Sequence, residues 1–284
     1  MSNPNASGGK PRIARVFPQK TNMTPTDELA FYGPPGLFPL DVDEVHICTV
    51  FTWDIARALW LQREWARMAE VKVGGPAFRV RGGEFEPGLY LKDGMVITSR
   101  GCINNCWFCE VPKREGREIR TLPIRDGYNV LDDNLLACPE DHIRAVFAML
   151  ARQPQKPIFS GGLEAARLQP WMAEELRSLR PQRLYFAYDT PDDYEPLVEA
   201  GKMLRAVGFT EASHKLGCYT LIGFPHDRFD LAEQRLNQVM SAGFVPFAML
   251  YRDTRGERDP QWGRFQREWV IPELIYRHKE ECAA

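Results

Sequence analysis

The amino-acid sequence predicts an α/β fold in which parallel strands alternate with helices. From Gly94 onward, short apolar runs bounded by turn residues alternate with segments of helical periodicity. The chain has 284 residues, of which 44% are hydrophobic. That length and composition suit one α/β domain of barrel size with an appendage.

Composition also limits the class of protein. The net charge of −2 provides no general attraction to nucleic acid or to a membrane surface. No run of about 18 apolar residues occurs, so no transmembrane helix or membrane partner is expected. Residues 1–12 lack the apolar segment of a secretory signal and are expected to be a disordered tail. The odd number of seven cysteines argues against a disulfide framework and predicts a cytoplasmic protein.

Residues 13–93 are predicted to form a small αβ layer followed by a linker. Ile13–Phe17 and Val45–Phe51 have the apolar pattern of strands, and a helix is expected from Thr52 or Trp53 to about Met68. Val71–Phe78 is predicted as the next strand, which ends in a Gly-Gly-Pro turn. This order is typical of a reduced Rossmann-like unit.

Residues 94–251 are predicted to contain six strands separated by helices. The predicted strands are Met95–Thr98, Tyr128–Leu131, Pro157–Phe159, Arg183–Tyr188, Leu216–Ile222 and Val245–Tyr251. From the second strand onward, amphipathic helices follow. Residues 252–284 mix arginines and acids with tryptophan and phenylalanine, which favours a helical extension packed on the main domain.

A loop with three cysteines follows the first of these strands. Cys102, Cys106 and Cys109 have C-x3-C-x2-C spacing. Three thiolates leave one iron of a cubane [4Fe–4S] cluster without a protein ligand. Structural zinc sites use four ligands, commonly as two pairs, and no second C-x2-C pair occurs here. The spacing favours a cluster with an open iron, and a zinc site is the alternative.

This spacing, with Phe108 just before the last cysteine, resembles the signature of the radical S-adenosylmethionine (radical SAM) superfamily. The following stretch, Glu110–Arg120, resembles methylthiotransferases, and residues 13–93 faintly resemble the cobalamin-binding half of other members. The accessory cysteines of the former and the cobalamin motif of the latter are absent, so neither activity is predicted. The resemblance implies a [4Fe–4S] cluster that binds S-adenosylmethionine and cleaves it to a 5′-deoxyadenosyl radical.

The resemblance also implies the fold. We expect an α/β protein with a partial (β/α)6 TIM-like barrel of radical SAM type over residues 94–251. A small N-terminal αβ layer over 13–93 precedes it, and a helical extension over 252–284 follows it. In such barrels the working groups lie where strands end and loops begin.

Candidate cofactor residues follow from the family motifs. Ser160-Gly-Gly-Leu-Glu164 resembles the Gly-Gly-Glu motif, which implies backbone contact with S-adenosylmethionine and an acid for its ammonium group. Since this motif follows the third strand rather than the second, Asp132 or Asp133 is an alternative for the amine. A plain turn is the structural alternative for the two glycines. The cofactor-binding candidates are Phe108, Ser160, Gly161, Gly162, Glu164, Asp132, Asp133 and Gly223.

Asp189, Cys218 and Tyr219 are candidates for contact with substrate or for quenching a radical. Helix capping is the alternative for Asp189, and strand packing explains the other two equally well. The basic residues of the stretch 110–120 could contact an anionic substrate or the cofactor carboxylate. Because Glu115 and Glu118 interleave with them, a solvated face is the alternative.

The expected partners are a small-molecule or nucleotide substrate and a reductant such as flavodoxin or ferredoxin. Modification of a nucleic-acid base is the alternative activity, although the net charge does not indicate nucleic-acid binding. A zinc-stabilised or cluster-stabilised binding module without turnover is the alternative from another class.

Overall fold

The computed structural model of the chain describes residues 10–271 and 274–275. Most of the expected N-terminal tail, the end of the expected C-terminal extension and Cys282 lie outside the described residues. The chain divides into two compact units, Met1–Arg81 with Gly88–Lys92, and Gly82–Pro87 with Asp93–Ala284. Among the described helices, none has the length and apolar character needed to cross a bilayer.

The first unit contains a parallel sheet of four strands with the order β2-β1-β3-β4. The elements are β1 (Ile13–Val16), β2 (Ala30–Phe31), β3 (Glu44–Cys48), α1 (Ile55–Trp65) and β4 (Glu70–Gly74). Helix α1 buries Ala58, Leu61 and Trp65 against Val45 and Ile47 of β3. Burial of each large apolar side chain contributes about 1.5–3 kcal/mol.

Strand β4 ends in the Gly-Gly-Pro turn that was predicted within Val71–Phe78. It ends at Gly74, and Pro76–Phe78 form a 3₁₀ turn. Proline has no N–H to donate to a ladder, and Gly75 before it adopts a positive φ of 102°. The chain therefore leaves the sheet at the Gly-Gly-Pro turn, as the sequence predicted.

The second unit contains a six-stranded parallel sheet with the order β12-β11-β10-β9-β8-β5. Its strands are β5 (Met95–Val96), β8 (Asn129–Val130), β9 (Ile158–Leu163), β10 (Arg183–Ala187), β11 (Leu216–Ile222) and β12 (Val245–Leu250). Each strand pairs with the strand that precedes or follows it in this set. The fold is mixed α/β, and all six predicted strands are present.

Four helices connect the strands from β8 onward. They are α3 (Glu140–Ala151), α4 (Pro170–Ser178), α5 (Tyr194–Ala206) and α6 (Phe229–Ser241). In α3 the buried residues include Ile143, Val146, Phe147 and Leu150, which have the predicted helical spacing, and Met149 in addition. Parallel strands need such crossover helices, and the helices cover the apolar side chains of the sheet.

The part of the C-terminal extension that the structure describes packs beside β12. Helix α7 (Pro260–Glu268) begins at Asp259, whose carboxylate accepts hydrogen bonds from the N–H groups of Gln261 and Trp262. After it, Trp269 is 1% exposed in a core with Ile222, Leu236 and Ala248 among others. Two hydrogen bonds join this segment to β12. The amide of Ala248 donates to the Trp269 carbonyl at 3.3 Å, and Gln266 Nε2 donates to the Ala248 carbonyl at 3.0 Å.

Candidate active site

The tricysteine loop is closed at its base by a short antiparallel pair. Strand β6 (Ser99–Arg100) pairs with β7 (Arg120–Thr121), and the loop between them contains the short helix α2 (Val111–Glu115). The Cys109 amide donates to the Cys106 carbonyl at 3.0 Å, and the Val111 amide donates to Cys109 Sγ at 3.4 Å. The backbone therefore holds Cys106 and Cys109 in one tight turn.

The three thiols of this loop are close enough to interact electrostatically. Burial, together with the neighbouring thiols of Cys109 and Cys102, raises the pKa of Cys106 to about 11. Burial also raises the pKa of Cys109, while the Val111 N–H opposes this shift. All six described cysteines are free of disulfides. Metal coordination deprotonates thiols outright, so a group of converging thiols is suited to a metal or a cluster.

A buried carboxylate lies beneath the loop. The Glu115 side chain has no solvent exposure and accepts hydrogen bonds from Arg114 Nε at 2.9 Å and Arg120 Nη2 at 2.7 Å. Arg100 lies 3.6 Å from the same carboxylate. The alternative of a solvated charged face is therefore wrong for Glu115, because α2 turns it into the protein. Glu118 is exposed, in agreement with that alternative.

A cavity of about 560 Å³ adjoins the cysteine loop. Eight of the predicted site residues line it: Cys102, Cys106, Phe108, Asp133, Gly161, Gly162, Glu164 and Asp189. They come from the ends of β8, β9 and β10 and from the loop itself. The strand-end rule grouped these residues with Asp132 and Gly223 as well, but the last two do not line the cavity.

The two glycines of the Gly-Gly-Glu-like motif lie inside strand β9 and not in a plain turn. The register between β9 and β10 shifts there, since Leu184 pairs with Phe159 but Phe186 pairs with Leu163. A Cβ on Gly161 would lie 2.3 Å from the Asp132 carbonyl oxygen, and Gly162 has a φ of +89°. Only glycine permits both the close approach and the positive φ without strain.

Glu164 follows this irregular strand at the cavity wall. Its Oε2 accepts hydrogen bonds from Asn134 Nδ2 at 2.6 Å and from Arg167 Nε at 2.8 Å. Asn134 also donates to Cys102 Sγ at 3.4 Å. The sequence grouped Asn134 with Asp132 and Asp133 at the end of one strand, but no role was predicted for it.

Asp132 and Asp133 have different environments. Asp132 is 2% exposed and does not line the cavity. Its carboxylate accepts hydrogen bonds from the Thr98 amide at 2.6 Å and from Ser99 Oγ at 2.7 Å. Asp133 lines the cavity, but it accepts hydrogen bonds from the Gly101 amide at 2.9 Å and Arg114 Nη2 at 3.3 Å. Burial raises the pKa of both carboxyls.

Asp132 also belongs to a second group of possible ligands. Its carboxylate, the Cys138 thiol and the His142 ring have donor atoms within 4.8 Å of one another. His142 Nε2 lies 3.3 Å from Thr98 Oγ1, which donates to Asp132. Both Asp132 oxygens already accept hydrogen bonds, so the arrangement is that of a buried polar network behind the loop.

Asp189 projects from the end of β10 into the cavity wall. Its Oδ1 accepts a hydrogen bond from the Leu221 amide at 2.9 Å, which joins β10 to β11. Burial, with the nearby carboxylate of Asp193, raises the pKa of Asp189 to about 6. Thr190 and Asp193 form the capping box at this turn, so the alternative of helix capping by the Asp189 side chain is wrong.

The remaining predicted residues do not line the cavity. Tyr219 stacks on Tyr185 with ring centroids 4.5 Å apart and donates to the Ser160 carbonyl at 3.3 Å. Cys218 has no exposure and faces the core on the other side of β11. Gly223 has a φ of +68°, and its amide donates to Asp227 Oδ2 at 2.8 Å. Strand packing accounts for Cys218, and its position supports no contact with a ligand in this cavity.

Trp107 was also missed. It lies between Cys106 and Phe108, and it is 54% exposed. Its ring packs against Phe224, after β11, and Tyr251, after β12, with centroid distances of 5.7 Å in both cases. The cysteine loop therefore contacts the chain that follows the last two strands.

No protein-family model matches this chain, and no curated protein matches it significantly in sequence.

Proposed function

We propose that the second unit is a radical SAM enzyme domain. In this proposal Cys102, Cys106 and Cys109 hold a [4Fe–4S] cluster, and the adjoining cavity holds S-adenosylmethionine. The proposal rests on one observation above all. A loop with three free thiols adjoins a cavity that is lined by Glu164 and by the glycine-containing strand β9. When bound, the reduced cluster supplies the electron that cleaves S-adenosylmethionine to a 5′-deoxyadenosyl radical.

The side chains of the cysteine loop and the cavity wall have the chemical types that a [4Fe–4S] cluster and S-adenosylmethionine need as partners. Three thiolates leave one iron open for the amine and carboxylate of the cofactor. Glu164 is suited to accept from the ammonium group, and Arg117, which lines the cavity, is suited to the carboxylate. Asp189 is placed to accept from hydroxyl groups of a ligand. Asp132 is a weaker candidate for the amine, since both its oxygens already accept hydrogen bonds.

The sheet order supports the finer expectation of a partial (β/α)6 TIM-like barrel. Consecutive strands are neighbours in such barrels, and the same order occurs in the six-stranded sheet. A cytoplasmic location and a reductant such as flavodoxin or ferredoxin belong to the same proposal, because the cluster needs free thiols and an electron donor. The substrate is proposed to be a small molecule or nucleotide that enters the cavity beside Asp189.

The test is anaerobic reconstitution with iron and sulfide, reduction with dithionite, and addition of S-adenosylmethionine. We expect cluster absorbance and formation of 5′-deoxyadenosine, both lost in Cys102→Ala, Cys106→Ala and Cys109→Ala. The matched control is Cys48→Ala in the first unit, which should retain both signals. One tightly bound zinc per chain without cluster absorbance would contradict the proposal and favour a structural zinc module.

A further inference from the structure

Asn134 connects two parts of the candidate site. It follows β8, and the residue is 4% exposed. One side-chain amide nitrogen donates to Cys102 Sγ at 3.4 Å and to Glu164 Oε2 at 2.6 Å. One carboxamide therefore contacts a cysteine of the loop and the acid that follows the two glycines.

Glu164 determines the orientation of this carboxamide. A carboxylate accepts hydrogen bonds and cannot donate them when ionised, so the atom 2.6 Å from it must be the donating nitrogen. Asn134 Oδ1 is buried and has no hydrogen-bond partner in the described part of the chain. The Asn134 side chain is therefore held in place by the hydrogen bonds from Nδ2 to Cys102 and Glu164, and not by its oxygen Oδ1. The geometry thus directs an N–H group toward the sulfur.

We infer that Asn134 is a positioning residue that sets the reduction potential of the cluster through its contact with Cys102. Through its contact with Glu164, it also couples that potential to the binding of an ammonium group at Glu164. The inference rests on the proposed function. Reduction adds one electron to the cluster, and an N–H dipole directed at a ligand sulfur stabilises the more negative state. Loss of this N–H therefore makes the cluster harder to reduce.

Glu164 affects the reduction potential of the cluster through the same carboxamide of Asn134. An ammonium group bound to Glu164 shares the carboxylate with Asn134 and changes how strongly the carboxamide donates to the sulfur. By linkage, the effect of the bound amine on reduction equals the effect of reduction on the affinity for the amine. The carboxamide is the group in contact with both sites, so its removal should weaken this coupling.

The experiment measures the midpoint potential of the reconstituted cluster by titration with dithionite, which supplies one electron per cluster. Wild type is compared with Asn134→Leu, which has similar size and no N–H, and with Asn134→Ser, which retains a donor. We expect a reduction constant about tenfold lower for Asn134→Leu, which is 59 mV for one electron, and partial recovery for Asn134→Ser. The matched control is Asn22→Leu, an exposed carboxamide of the first unit that does not line the cavity.

The titration is repeated with S-adenosylmethionine. We expect the shift that it causes in wild type to be smaller in Asn134→Leu and in Glu164→Gln. A cluster with wild-type potential in Asn134→Leu would overturn the inference while leaving the proposed function intact. Absence of any cluster from wild type would overturn both. Loss of the cluster from both Asn134 variants, with normal unfolding curves, would overturn the tuning role and make Asn134 an assembly contact.

Discussion

The carboxylate of Glu115 accepts a hydrogen bond from Arg120 at 2.7 Å, although the Glu115 side chain has no exposure to solvent. Arg100 and Arg114 lie within ion-pair distance of the same carboxylate. These residues belong to β6, α2 and β7, which together bracket the cysteines. The ion cluster therefore stabilises the loop whose thiols define the candidate site.

Glu115→Gln is expected to lower the free energy of unfolding by about 1.5–3 kcal/mol, because it removes the charge of a buried carboxylate that pairs with three partly buried guanidinium groups. Urea unfolding of the protein checks this value. Glu118→Gln, at an exposed position of the same loop, is the control and should change stability by less than about 0.5 kcal/mol. Equal midpoints for wild type and Glu115→Gln would refute the role assigned to the ion cluster.

Gly161→Ala is expected to destabilise the protein by about 1–3 kcal/mol or more, because the new Cβ would meet the Asp132 carbonyl, which is backbone and cannot move aside. Gly83→Ala is the matched control, since nothing lies within 4 Å of its Cβ position. Thermal unfolding of both variants gives the comparison. A Gly161→Ala protein as stable as the control would mean that β9 and β8 can separate at no cost.

Asp189→Asn tests the raised pKa of this carboxyl. A pKa raised from 3.8 to about 6 means that the folded protein binds the proton more tightly than the unfolded chain. The associated stability is present at low pH and is lost as pH rises through about 6. Asp189→Asn has no ionisable group at this position. Between about pH 4 and pH 7 its free energy of unfolding should therefore rise by up to about 3 kcal/mol relative to that of the wild type.

Asparagine retains an oxygen that can accept from the Leu221 amide, so the comparison isolates the charge. Urea unfolding at a series of pH values measures it, with the exposed Asp192→Asn as control. A stability difference between wild type and Asp189→Asn that does not change with pH would be inconsistent with the buried position of the carboxyl.

Trp269→Ala is expected to cost about 3–5 kcal/mol, because it removes a side chain of 1% exposure from the core beside β12. Trp107→Ala should cost only about 1 kcal/mol, since that ring is half-exposed and contributes mainly aromatic contacts. Chemical unfolding of the two variants measures both losses of stability. A smaller loss for Trp269→Ala than for Trp107→Ala would show that the last described segment does not stabilise the sheet.

Local patterns in the sequence predicted most of the second unit. Leu216–Ile222 was predicted with its observed bounds, because a mainly apolar segment between a lysine and a glycine has clear ends. Pro157–Phe159 was predicted too short. The glycines that follow it are usual at strand ends, and the local sequence does not show that Asp132 lies against Gly161 and keeps the chain in the sheet.

The parts of the candidate site that lie in one stretch of sequence were predictable. The parts that depend on contacts between segments far apart in the sequence were less predictable. Cys102, Cys106 and Cys109 lie in one loop, so their spacing was sufficient to predict that the three thiols are near one another. The roles of Asn134 and Glu115 depend on partners in other segments and on burial, which charge and polarity alone do not reveal. Asp132 was a candidate because it follows the second strand, and Cys218 because a thiol can quench a radical, yet both are buried and do not line the cavity.

The pairing of Ala248 with Trp269 and Gln266 has a consequence for association between molecules. Strand β12 lies at an end of its sheet, where an unpaired N–H and carbonyl invite a strand from another chain. At Ala248 the carbonyl already accepts from Gln266 of α7, and the N–H donates to the carbonyl of Trp269, which follows α7. The chain thus covers this edge with its own backbone and side chain, which opposes edge-to-edge aggregation at that residue.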